Sequence, residues 1–148
     1  MFKIMFICTG NSCRSQMAEG FARRLGSGLM EAHSAGLIPA GVNKNAIKVM
    51  AELGIDISDQ DSKAIDFKLV DSMDMVVTLC SHAELMCPRT PTNVLRVHWP
   101  IEDPVGATGS EEKVLNEFRR ARDEIRGRVI GLINEIKAQG RQEAERVG

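Results

Sequence analysis

The chain has 148 residues, a formal net charge of −1, 43% hydrophobic and 26% charged side chains, a size and mix that fit one globular domain and exclude disorder, collagen-like repeats and coiled coil for its bulk. A sequence pI near 6.3 and 4% aromatics with no Tyr leave neither a basic face nor a stacking platform for nucleic acid. No apolar run approaches the roughly 20 residues that span a bilayer, so no membrane contact is expected.

The opening Met-Phe-Lys-Ile-Met-Phe-Ile-Cys is too short and too soon interrupted for a signal peptide, and it reads as the first strand of a cytoplasmic protein. Residues 3–7 suit a buried parallel strand, which ends in the small polar loop Cys8-Thr9-Gly10-Asn11-Ser12-Cys13-Arg14-Ser15. From Gln16 the period changes: Met17, Phe21 and Leu25 share a helical face, and Gly26 stops it. Residues 31–35 read as a second strand. Ile47, Met50 and Leu53 mark a helix over 45–53 capped by Gly54, and 65–70 reads as a short helix. Residues 75–79 form the clearest strand, ended by Cys80. The stretch 81–86 is a short helix or turn, broken by Pro88 and Pro91. Residues 94–98 are a fourth strand, with Asp103-Pro104 in the loop beyond.

The last third is a long amphipathic helix, capped by Ser110 or Thr108, with Glu111 and Glu112 suiting its first turn. Phe118, Ala121, Ile125, Val129, Leu132 and Ile136 make its apolar stripe, and Arg119, Arg120 and Arg122 alternate with acids as a solvated face. Residues 1–140 are expected to form the single catalytic domain and 141–148 a frayed tail. Strands alternating with helices imply right-handed crossovers: a single-domain α/β fold with a four-stranded parallel sheet and helices on both faces. Ligands in such sheets bind beyond the C-terminal strand ends, which is where Cys8, Cys80 and Asp103 fall.

The loop 8–15 carries the chemistry. Wrapped back on itself and leading into a helix, it forms a nest of backbone N–H groups for a tetrahedral oxyanion, built from Thr9, Gly10, Asn11, Ser12, Cys13, Arg14 and Ser15. Arg14 can grip two oxygens in bidentate fashion, and the same positive field favours Cys8 as a thiolate nucleophile. Gly10 and Asn11 are the residues that tolerate positive φ in so tight a loop. Four cysteines in a cytoplasmic chain point to thiol chemistry rather than a disulfide frame. Cys80-x6-Cys87 fits no common zinc spacing, and His33, His82 and His98 show no ligand pattern, so no metal and no cofactor are expected. Cys13 reads as packing or an off-path thiol.

The run Cys-Thr-Gly-Asn-Ser-Cys-Arg-Ser-Gln-Met-Ala-Glu-Gly resembles the signature of thioredoxin-coupled arsenate reductases, which share the low-molecular-weight protein tyrosine phosphatase fold. The likeness continues through Ser34-Ala35-Gly36, Gly54-Ile55-Asp56-Ile57-Ser58, Val76-Val77-Thr78-Leu79-Cys80, His98-Trp99 and Glu102-Asp103-Pro104 into the final helix. The resemblance implies arsenate reduction in arsenical resistance, with Cys8 as nucleophile, Arg14 as oxyanion clamp and Asp103 as general acid. Ser15 would bond the Cys8 sulfur and Asn11 would hold the loop. It further implies a Cys8–Cys80 disulfide passed on as Cys80–Cys87 and reduced by thioredoxin, in a monomer that takes phosphate or sulfate as oxyanion mimics. Some relatives hold potassium near the loop. Asn11, Glu19 and Ser34 match three of its ligands, and the fourth falls on Lys63, or on Asp61 if the alignment slips; an ammonium there would replace the ion. Two other readings stay open. One is a phosphotyrosine phosphatase, against which Val105 follows Asp103-Pro104 where that group usually has an aromatic. The other is a thiol sensor binding arsenite or a heavy metal through Cys8, Cys80 and Cys87.

Overall fold

The structure is a computed structural model that describes residues 1–87 and 90–147, Val147 by its backbone alone. The element order is β1 (Phe2–Cys8), α1 (Arg14–Leu25), β2 (Met30–Gly36), α2 (Lys44–Ala51), α3 (Phe67–Asp71), β3 (Met75–Thr78), α4 (Ser81–Met86), β4 (Leu95–His98) and α5 (Glu111–Val147), with a 3₁₀ turn at Pro104–Gly106. All strand pairs are parallel, in the order β2-β1-β3-β4. The α/β expectation holds, and the expected break at Pro88 lies outside the described residues.

β1 is an interior strand, and its apolar sequence suits that place. Ile4 to Cys8 are buried without interruption, although successive side chains point to opposite faces, so both faces of the strand are covered. α1 packs on β1 and β2, and α5 closes over α1 and α2. Met17, Phe21, Phe118, Ile125 and Val129 are fully buried or nearly so. Each such side chain contributes roughly 1.5–3 kcal/mol relative to exposure.

Local chemistry sets the helix ends. The Asn43 side chain accepts from the amides of Asn45 and Ala46 at the start of α2, and Ser110, not Thr108, caps α5 through the Lys113 amide. α5 continues as helix past Gly140 to Val147, where the sequence suggests fraying, and residues 137–146 are all exposed. One expectation is corrected. Arg122 does not belong to a solvated face: it is 8% exposed, donates to the Val49 carbonyl and pairs with Glu52. Arg119 also grips Glu52, so this carboxylate ties α2 to α5. Leu25 goes the other way, ending 40% exposed as α1 runs past the core.

Candidate active site

The loop between β1 and α1 is held from behind. The carbonyls of Cys8, Thr9, Gly10 and Ser12 accept hydrogen bonds from the amides of Leu37, Ile38, Ala40 and Asn43, along the segment leaving β2. In a planar trans peptide the N–H lies opposite the carbonyl, so the amides of Thr9, Gly10 and Cys13 point away from that segment. α1 begins at Arg14, two residues before the helical period shows in the sequence. Its unpaired N-terminal amides therefore belong to the same concavity. A cleft of about 250 Å³ results, lined by Cys8, Thr9, Gly10, Ser12, Cys13, Arg14, Ala40, Asp103 and Val105. A roomier groove of about 330 Å³ runs between Met75, Val97, Trp99 and α5, away from these groups.

Asn11 is the described residue outside glycine with positive φ, at 44°. Its side chain fixes that conformation: Oδ1 accepts from the Lys63 amide and from Gln16, and Nδ2 donates to Ser15 Oγ. Gly10 is corrected, because it does not adopt positive φ. Here it makes ordinary contacts, and the glycine the loop requires is Gly36, where an added Cβ would meet Asn11 N at 2.6 Å.

The Asn11 side-chain amide donates to Ser15 Oγ, and that hydroxyl lies 2.9 Å from Cys8 Sγ, within reach to donate to a thiolate there. Arg14 is buried. Its Nη1 donates to the carbonyls of Leu79 and Ile101, which fixes the guanidinium plane, and Nη2 faces Asp103 Oδ2 at 3.4 Å. Asp103 is half exposed and caps the 3₁₀ turn through the Val105 amide. Cys8, Arg14 and Asp103 thus share one cleft, as their positions in the sequence suggest.

Cys80 follows β3 by two residues and lies beside this loop. Its sulfur lies 3.2 Å from Thr9 Oγ1 and accepts from the Ala83 amide as the N-cap of α4. Cys87 stands at the other end of α4, partly buried, where burial raises its thiol above the ordinary range. All four cysteines are free thiols. Cys13 is buried, and desolvation, together with the charge of Asp103, holds it firmly as a thiol. That matches a packing role for its side chain.

Two supports escape sequence reading. Gln16 is fully buried and donates to the Asn11 and Asp61 carbonyls, while Gln60 donates back to it. The bonds to Asp61 and Gln60 cross more than 40 positions and have no local signal. The residues matched to a cation site converge on Lys63 and Glu19. Its Nζ lies 3.5 Å from Glu19 Oε1 and donates to the Asp61 carbonyl, and Ser34 Oγ donates to the same Glu19 oxygen. Glu19 is 1% exposed and already faces an ammonium, so these residues do not fit an alkali ion.

The comparisons agree with this geometry. The profile described as low molecular weight phosphotyrosine protein phosphatase matches residues 3–142. An arsenate reductase of Halalkalibacterium halodurans is 52% identical over 126 residues, covering 85% of this chain and 91% of that protein. A solved arsenate reductase in a phosphate-binding state superposes with TM-score 0.77 at 40% identity, covering 92% of this chain and 99% of the other. A thioredoxin-dependent arsenate reductase of Corynebacterium glutamicum gives TM-score 0.76 at 26% identity, over 94% of this chain and 63% of that one. On the family match over residues 3–142 and the half-identical arsenate reductases, the chain belongs to the low molecular weight phosphotyrosine protein phosphatase family and, within it, to its arsenate reductases.

Proposed function

We propose that this protein reduces arsenate to arsenite with its own thiols and is restored by thioredoxin. The observation that carries this reading is Cys80 Sγ, 3.2 Å from the hydroxyl of Thr9, the residue next to Cys8. A phosphatase needs one thiol and water. Reduction by two electrons needs a second sulfur at the same rim and a third to move the disulfide outward.

The oxyanion sits against the loop amides and Arg14, and the Cys8 thiolate attacks arsenic. Asp103 gives a proton to the departing oxygen, which leaves as water. Cys80 then attacks Cys8 Sγ. The electron pair of the sulfur–arsenic bond goes to arsenic, which departs as arsenite, and a Cys8–Cys80 disulfide remains. Cys87 attacks Cys80, frees Cys8 and leaves Cys80–Cys87 for thioredoxin to reduce. Every reacting group lies on one chain, which supports a monomer, and no described helix is long and apolar enough to cross a membrane. We place the protein in the cytoplasm, where thioredoxin keeps thiols reduced.

The test is NADPH consumption with arsenate, thioredoxin and thioredoxin reductase. Sustained, arsenate-dependent turnover is expected. A protein that hydrolyses aryl phosphates but leaves NADPH untouched is a phosphatase, and one that merely binds arsenite is a sensor; either result overturns the proposal.

A further inference from the structure

α4 has little apolar hold on the rest of the protein. Of its six residues only Ala83 is buried, while Leu85 is 82% and Met86 61% exposed. A helix this short has no stability of its own in water. Polar contacts centred on Glu84 tie it down instead. Thr78 Oγ1, at the end of β3, donates to Glu84 Oε2. Arg96 on β4 donates through Nη2 to the Glu84 main-chain carbonyl at 2.8 Å, and its Nε lies 3.5 Å from the same carboxylate oxygen. His98 Nδ1 is 3.0 Å from Thr78 Oγ1 and completes the cluster. The Thr78 hydroxyl above all, then Arg96 and His98, hold the Glu84 carboxyl below its usual range, so these are charge-assisted bonds.

The thiol relay has to open this helix, and the inference rests on that relay. We propose that Glu84 is a positioning residue for the relay: gripped by Thr78 and Arg96, it keeps α4 folded while Cys80 faces the Cys8 loop, and its release lets Cys87 reach Cys80. The exchange itself is balanced. Cys87 loses its proton to solvent and its sulfur bonds Cys80 Sγ as the Cys8–Cys80 bond breaks. Cys8 departs with the electron pair, so one disulfide replaces another and no external oxidant is needed. Because the grip exists only with α4 folded, it stabilises the dithiol form and not the Cys80–Cys87 disulfide. Glu84 therefore sets how readily thioredoxin can return the enzyme to its reduced state.

The experiment uses the full chain in a Cys8→Ser background, which isolates the Cys80/Cys87 pair. Protein is equilibrated in graded dithiothreitol buffers, and the Cys80–Cys87 disulfide is counted by mass spectrometry. Glu84→Gln removes the charge. Thr78→Val removes the buried donor without changing charge, which separates the grip from any electrostatic effect of Glu84 on Cys87. Both are expected to favour the disulfide about tenfold, a potential about 30 mV more negative for this two-electron couple. Both should lower the melting temperature of the dithiol form and leave that of the disulfide form unchanged. Potentials within twofold of the parent, or equal losses of melting temperature in both forms, would overturn the assignment of Glu84 alone. A parent protein in which Cys80 and Cys87 never pair overturns the relay, and Glu84's role with it.

Discussion

Oxidation of Cys80 by Cys87 is the perturbation whose structural cost can be worked out most directly. The two cysteines flank α4 and stand seven positions apart. At about 1.5 Å rise per residue, a helix places their Cα atoms roughly 10 Å apart. A disulfide spans no more than about 7 Å between Cα atoms. The segment must therefore unwind, losing bonds such as those from the Glu84 amide to the Cys80 carbonyl and from the Cys87 amide to the Ala83 carbonyl, along with the grip of Thr78 and Arg96 on Glu84. Each net backbone bond contributes on the order of 1 kcal/mol, and Ala83 adds little buried area. The opening thus costs a few kcal/mol, within reach of disulfide exchange, and moves the new disulfide toward solvent. Hydrogen exchange followed by mass spectrometry should show faster exchange between about residues 80 and 92 in the Cys80–Cys87 form, with β1 and α1 unchanged. Cys87→Ser should release one arsenite per protein molecule with thioredoxin present and then stop as the Cys8–Cys80 disulfide, whereas replacing Cys80 should prevent release altogether. Continued turnover by Cys87→Ser, or unchanged exchange in the oxidised protein, would refute the reasoning.

Four further outcomes are expected. Phosphate or sulfate should slow alkylation of Cys8 by iodoacetamide, and Ser15→Ala should slow it without any oxyanion, because the hydroxyl 2.9 Å from the sulfur is lost; an alkylation rate indifferent to both would count against the oxyanion loop. Gly36→Ala places a Cβ 2.6 Å from Asn11 N, so about 1–3 kcal/mol of stability should go, with a larger loss of kcat/KM as the loop shifts, measured by thermal melts and the coupled assay. Exchanging potassium for tetramethylammonium should leave kcat/KM essentially unchanged, since the Lys63 ammonium lies 3.5 Å from Glu19; a large fall would refute the replacement. Glu52 is held at about 2 by its bonds to Arg119, then Arg122, so the stability it adds is present above the ordinary carboxyl value of 4.5 and fades as pH falls toward 2. Glu52→Gln, measured by denaturant melts, should cost about 1 kcal/mol at pH 7 after solvent screening, and progressively less below pH 4.5.

The sequence by itself determined the parallel α/β sheet and singled out Cys8, Arg14, Cys80 and Asp103, which meet around the β1–α1 loop. Those features are written locally: an unbroken apolar run such as 4–8, followed at once by a polar loop, suits a strand covered on both faces, and a Cys-x5-Arg loop between strand and helix sets its candidate chemistry within eight residues. It also placed Cys80 and Asp103 at strand ends, because parallel topology sends all such ends to one rim. The tertiary structure alone decided what holds those groups in place. Asn11 keeps its positive φ through bonds to Gln16 and Lys63, and Gly36, not Gly10, supplies the close approach. Arg122 leaves its apparent solvent face because Glu52, 70 positions away, meets it across two helices. Glu84 gains its part from Thr78 and Arg96 on two different strands. Such contacts join residues that no helical or strand period relates, so they come into being only when the chain packs.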